Sequence, residues 1–145
     1  MNIVVATTQP QIVDAFLIRT VVFVVEQQVP AVEEIDLQDR TAPFLVAYDD
    51  AGAPVGTARI LLPDATTAKI GRVAVLAAWR HRGIGRRLME AAEAFIREQT
   101  GASIIKLGSQ LSAQPFYEKL GYEPFGDRFA EAGIEHVMMR KPVCR

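Results

Sequence analysis

The stretch VAVLAAWRHRGIGRRLMEAAEAF, from Val73 to Phe95, constrains the fold more than any other part of the chain. It begins as an apolar run of strand type, passes through Arg80, His81, Arg82 and Gly83, and continues as a helix to Thr100. Ile84, Leu88, Ala91, Ala92, Phe95 and Ile96 fall on one face of that helix, and Gly101 supplies its stop. A strand that turns through glycine into an amphipathic helix belongs to an α/β architecture, with the helix packed back on a sheet. The first N–H groups of a helix have no partner within it, and the helix dipole makes that end positive. Gly83 and Gly85 let a ligand approach this backbone, and Arg80, Arg82, Arg86 and Arg87 add charge around it. The junction therefore has the makings of a phosphate site; the plain alternative is a tight turn ringed by solvated arginines. It is neither a P-loop, which needs a lysine followed by a hydroxyl, nor a dinucleotide fingerprint, because Leu88 stands where G-x-G-x-x-G needs its third glycine.

The remaining elements are read around this junction. Asn2 to Thr8 is a first strand, and Thr8-Gln9-Pro10 starts a helix with Ile12, Val13, Phe16, Leu17, Thr20 and Val21 on its apolar face. The β-branched run Val21 to Val25 is expected to end that helix and become extended, and Gln27 to Pro43 to be a polar, acidic loop. Phe44–Asp49 and Val55–Pro63 form a hairpin across the turn at Gly52, and Thr67–Leu76 is the next strand. After the long helix come a strand at Ser103–Ser109, a short helix within Ser112–Gly121, and strands at Tyr122–Asp127 and Glu135–Lys141. The order β-α-β-β-β-α-β-α-β-β implies one mixed α/β domain over residues 1–145, its central sheet mostly antiparallel and flanked by helices.

Composition narrows the partners. The formal net charge is -1 over 145 residues, so no overall field draws the chain to nucleic acid or to an acidic membrane, and anion affinity has to be local. Cys144 is the single cysteine and His81 and His136 the only histidines, a set that offers no disulfide and no metal-ligand spacing. A reducing, cytoplasmic setting without a signal peptide is expected.

Arg80-His81-Arg82-Gly83-Ile84-Gly85 resembles Q/R-x-x-G-x-G/A, the acyl-CoA pyrophosphate loop of the GCN5-related N-acetyltransferases, the GNAT family. AQPFYEKLGYEPFG, Ala113 to Gly126, resembles that family's second conserved block. RTVVFVVEQQVPAVEEIDLQD and AGIEHVMMRK resemble the small bacterial ElaA/YjcF-like subgroup. The resemblance implies the GNAT fold with a splayed cofactor cleft, acetyl-CoA as acyl donor and a primary amine as acceptor, with direct transfer in a ternary complex. It is compatible with a homodimer. It also implies that the backbone of His81, Arg82, Gly83, Ile84, Gly85 and Arg86 cradles the pyrophosphate, while Val73, Ala74 and Val75 hold the pantetheine arm and the acetyl carbonyl. Many members carry an asparagine seven residues before the catalytic tyrosine; here that position is Gln110, with the same amide on a longer stem.

By the same resemblance Tyr117 is the acid for the departing thiolate, and a phenol is protonated at neutral pH. Glu26 interrupts an apolar run and is a candidate catalytic or substrate carboxylate, with Gln27 beside it. Glu34, with Glu33, Asp36 and Asp39, would draw a cationic amine to the acidic loop. His136 is a further substrate-side candidate, since an imidazole suits proton transfer. A non-catalytic acyl-CoA-binding regulatory module on this fold, and a nucleic-acid-binding domain built on the arginines, are the alternatives. No aromatic residues interleave those arginines, which counts against the second.

Overall fold

Thr8 sets the direction of the first helix. Its hydroxyl accepts the Gln11 N–H at 3.3 Å, the Gln11 side chain accepts the Thr8 N–H at 3.2 Å, and Pro10 sits in the first turn. In the computed structural model, which describes residues 1–145, strand β1 (Asn2–Val5) leads into this helix, α1 (Gln9–Arg19). The expected extended segment after α1 is not there. Thr20–Glu26 continues as a π-helix, whose wider turn carries the β-branched run onward without a break. The apolar face also differs from expectation. Ala15, Ile18, Arg19 and Val22 are buried, whereas Ile12, Val13, Leu17 and Val21 are exposed. The reason is Arg19, 1% exposed, which the helix turns inward toward carboxylates far along the chain.

Those carboxylates come from the segment expected to be a loop. It contains a short helix, α2 (Ala31–Glu34), and a single 3-10 turn, Leu37–Arg40. Arg19 Nε donates to Glu34 Oε1 at 2.6 Å, and its two Nη groups donate to the Asp39 carboxylate at 2.7 and 3.0 Å. Arg59 donates to Asp36 and Asp39 at 2.8 and 2.9 Å, and Arg72 to the Glu34 carbonyl at 3.0 Å. Three arginines from separate elements thus pin one acidic segment against the sheet.

Burial pushes the Asp39 carboxyl up, but hydrogen bonds from Arg19, the Asp36 N–H and Arg59 outweigh it and hold the group at about 2. A carboxyl held below its unfolded value of about 4 stabilises the fold above that pH and loses the effect as pH falls through its folded value. Urea unfolding is therefore expected to show a loss of stability from about pH 4 down to about pH 2. In Asp39→Asn, already weakened at neutral pH, the slope over that window should flatten; an unchanged slope would remove Asp39 from the acid response.

Strands β2 (Phe44–Tyr48), β3 (Pro54–Leu61), β4 (Thr67–Val75), β5 (Ile104–Gln110), β6 (Glu123–Glu131) and β7 (Ile134–Pro142) join β1 in a seven-stranded sheet of order β1-β2-β3-β4-β5-β7-β6. Only the β4–β5 pairing is parallel. Helix α3 (Ile84–Gln99) buries Ile84, Leu88, Met89, Ala92 and Ile96 against the sheet. It approaches so closely that a Cβ on Gly56 would lie 3.0 Å from Leu88. Helix α4 (Gln114–Lys119) follows β5. The final hairpin runs longer than the sequence implied. Ala132 and Gly133, at φ 51° and 76°, form a two-residue turn with both angles positive, and this extends β6 to Glu131. No helix is long and apolar enough to cross a membrane.

Candidate active site

Parallel strands need not stay paired along their length, and here they part early. β4 and β5 pair only at Thr67, Ala68 and Lys69 with Ile104, Ile105 and Lys106. Beyond that point Ile70–Val75 and Leu107–Gln110 diverge, which leaves backbone groups of both strands facing a cleft. A bulge sharpens the opening. Arg59 pairs with Gly71 and Thr57 with Ala74, so Arg72 and Val73 share one partner position, and Arg72 takes φ 51°.

The arginine-glycine junction lies at the end of β4. His81 and Gly83 have φ of 64° and 80°. A Cβ on Gly83 would meet nothing within 4 Å, so the backbone angle, and not crowding, calls for glycine there. The first hydrogen bond of α3 is Arg87 N–H to the Gly83 carbonyl at 3.1 Å, and the N–H groups of His81 through Arg86 donate to no backbone carbonyl. His81, Arg82, Gly83 and Arg86 are exposed. Six successive unpartnered N–H groups at a positive helix end suit the pyrophosphate of an acyl-CoA. Arg82 stacks over Trp79 at 4.8 Å, and Arg86 pairs with Glu90 at 2.9 Å.

Arg80 turns the other way. Its Nε donates to the Val75 carbonyl at 2.9 Å, and both Nη groups donate to the Glu26 carboxylate at 2.7 Å. That bidentate bond lowers the Glu26 pKa. Glu26 therefore ties the end of the π-helix to the end of β4 and does not line the cavity described next. Gln27 does line it. Its Oε1 accepts Gln110 Nε2 at 2.9 Å, so these two residues meet across the cleft.

The cavity has a volume of about 770 Å³. Val73, Ala74, Val75, Gln110, Tyr117 and His136 all line it, together with Glu34. Tyr117 is 9% exposed, and burial pushes its phenol up to about 12. Below that pH it stays protonated and can give up a proton in the chemistry but not take one. Its ring packs edge-on against Phe116 and Tyr122, which holds the ring in place. Glu34 is 2% exposed; Oε1 is held by Arg19, and Oε2 has no hydrogen-bond partner. Asp36 and Asp39 are occupied by arginines, so most of the acidic segment is neutralised within the chain.

Two groups of residues escape a reading of the sequence alone. Arg19, Arg59 and Arg72 are far apart along the chain, and only tertiary structure brings them to one segment. Phe129 and Glu131 enter the cavity wall because β6 continues past Asp127. The Ala132-Gly133 pair was the available signal, since a two-residue turn places Glu131 and His136 on the same face of the hairpin.

The comparisons agree with this geometry. A family model described as acetyltransferase (GNAT) domain matches residues 6–143. The uncharacterized N-acetyltransferase YjcF of Bacillus subtilis is 40% identical over 142 residues, covering 97% of this chain and 99% of the relative. The crystal structure of Escherichia coli ElaA superposes with a TM-score of 0.87 at 27% identity, covering 97% of this chain and 99% of that one. An acyl-CoA N-acyltransferase of Pseudomonas aeruginosa gives a TM-score of 0.84 at 30% identity, covering 97% and 98%. Splayed strands, an open N–H loop at a helix start and a match spanning nearly the whole sequence together make this chain a member of the GNAT acetyltransferase family, whose members move an acyl group from acyl-CoA to an amine.

Proposed function

We propose that the protein transfers acetyl from acetyl-CoA directly to a primary amine in a ternary complex. The observation that carries this reading is the run of unpartnered N–H groups from His81 to Arg86, placed where β4 leaves β5 and opens the cavity that holds Tyr117. Acetyl-CoA supplies an activated thioester; the chain supplies binding, orientation and a proton. The N–H groups of His81–Arg86 hold the pyrophosphate. The free edge of Val73–Val75 pairs with the pantetheine arm and orients the carbonyl, with Gln110 as an amide contact. The Tyr117 hydroxyl faces the leaving sulfur and gives it a proton. Glu26 is a positioning residue, acting through Arg80 on the Val75 carbonyl. Gln27 and Glu34 belong to the acceptor side, where the amine arrives as a cationic ammonium.

Thiol release in a screen of primary amines tests the activity, with amine-dependent release of CoA expected. A non-catalytic acyl-CoA-binding module would bind acetyl-CoA and release no thiol with any amine. The loop has its own test. Gly83→Ala places a side chain at φ 80° and is expected to cost about 1 kcal/mol of stability. It should also weaken acetyl-CoA binding by about tenfold, equivalent to about 1.4 kcal/mol, as the N–H groups turn away. Unchanged affinity in calorimetry would remove this loop from the binding site.

A further inference from the structure

We propose that His136 takes the proton from the acceptor amine and that Glu131 holds the imidazolium so formed; this rests on the acetyl-transfer reading above. The argument begins with the hairpin. The turn at Ala132-Gly133 pairs Glu131 with Ile134 and Phe129 with His136. Residues two apart share a face, so all four stand on the side of the sheet that walls the cavity. His136 also pairs with Gln110 in the next strand, which carries it to the end of β5 beside the cleft.

The ring is held in one tautomer. His136 Nδ1 lies 2.7 Å from the Ile134 carbonyl oxygen, which can only accept, so Nδ1 carries the proton. Nε2 of the neutral ring then bears a free lone pair. Glu131 Oε2 lies 3.8 Å from Nε2; a carboxylate only accepts, so it leaves that lone pair free and stands beside the ring as a counter-charge on a largely exposed side chain. Phe129 stacks on the imidazole with ring centroids 5.6 Å apart, and the residue is 8% exposed. Tyr117 borders the same cavity, and it is a proton donor alone. The cavity therefore holds a donor for the sulfur and an acceptor for the nitrogen.

The proton balance closes. The acceptor arrives as an ammonium and gives one proton to His136 Nε2. The nitrogen lone pair forms the C–N bond, and the C–S bond breaks with its electron pair on sulfur. Tyr117 protonates that sulfur, the now cationic nitrogen gives its second proton to water, and the proton on His136 passes through solvent to restore the tyrosine. The products are the amide and CoA, with one proton released to water for each ammonium consumed.

The substitution that separates base from brace is His136→Asn. Its side-chain amide can keep the donor to Ile134 while removing Nε2. With an alkylamine from the screen, kcat/KM is expected to fall by about 10². With the O-alkyl hydroxylamine of the same shape, which arrives neutral and needs no base before it attacks, the fall should be under about threefold, well below the range for lost base catalysis. Equal losses with both amines, or none with either, would overturn the assignment. A second readout needs no acetyl-CoA. Nitrogen NMR of histidine-labelled protein at mildly alkaline pH should show His136 protonated at Nδ1 and bare at Nε2, and the opposite tautomer would also overturn it. If the unaltered protein transfers acetyl to no amine at all, the transfer reading itself fails, and the base with it.

Discussion

Tyr117→Phe is expected to lower kcat by about 10² while acetyl-CoA affinity and folding stay close to those of the unaltered protein. The substitution removes one oxygen from a ring packed on Phe116 at 4.9 Å and on Tyr122 at 6.1 Å, and phenylalanine keeps both contacts. Burial alone shifts this phenol, with no hydrogen-bonded partner in the chain contributing, so stability has little cause to change. A proton supplied to the leaving sulfur matters only as the C–S bond breaks, so the loss should appear in kcat and not in binding. Because burial holds this phenol at about 12, deprotonation of Tyr117 should impose no alkaline limb on the rate below that range. Turnover unchanged in Tyr117→Phe would take the tyrosine out of the chemistry. Loss of acetyl-CoA binding in parallel would make its role one of cavity shape.

Arg19→Ala is expected to be the most destabilising single change at the ion network, by about 3 kcal/mol, the low end for breaking a buried pair, because Glu34 and Asp39 lose their closest partner and keep only Arg72 at 3.4 Å and Arg59 at 2.9 Å. Arg19 is 1% exposed and holds Glu34 at 2.6 Å and Asp39 at 2.7 Å. A fall of this size should appear as a lower urea midpoint with the slope unchanged. Arg19→Lys keeps the charge but not the fork that reaches two carboxylates at once, so it should recover only part of the loss. The segment it pins contributes Glu33, Glu34 and Asp36 to the cavity wall, so activity should fail before the fold does as denaturant is added. A loss under about 1 kcal/mol, the level of an exposed pair, would mean that the network is worth no more than surface ion pairs.

The same arginine marks the limit of reading this fold from sequence. Strands and the long helix were legible because their apolar periods reflect a simple rule, that one face meets the core. On α3 that rule places Ile84, Leu88, Ala92 and Ile96 correctly. On α1 it fails by a rotation about the helix axis. The buried face includes Arg19, and its burial depends on carboxylates fifteen and twenty residues away, Glu34 and Asp39. The run Val21–Val25 misleads for a related reason, since β-branching favours a strand until packing of Val22 decides otherwise.

The site divides in the same way. The open N–H loop is local: its glycines and helix start lie within a few residues, so the sequence already marks His81–Arg86 as a run of free backbone donors. Contacts across the cleft are not. Gln27 and Gln110 are 83 residues apart and meet through one hydrogen bond. Glu26 looked like a substrate carboxylate in isolation, and only the folded chain brings Arg80 to it. Glu131 became part of the wall through a turn whose two positive φ angles set where the strand ends.

The central claim is that the unpartnered N–H groups after β4 hold the phosphates of an acyl-CoA, and calorimetric titration of the purified protein tests it most directly. Acetyl-CoA should be titrated beside S-acetylpantetheine, which carries the same arm and acetyl group without the pyrophosphate. The account predicts saturable, one-to-one binding of acetyl-CoA, at least about 10² tighter than the truncated thioester, since several charge-assisted hydrogen bonds are lost together. Equal affinity for the two compounds, or no binding of acetyl-CoA, would contradict it.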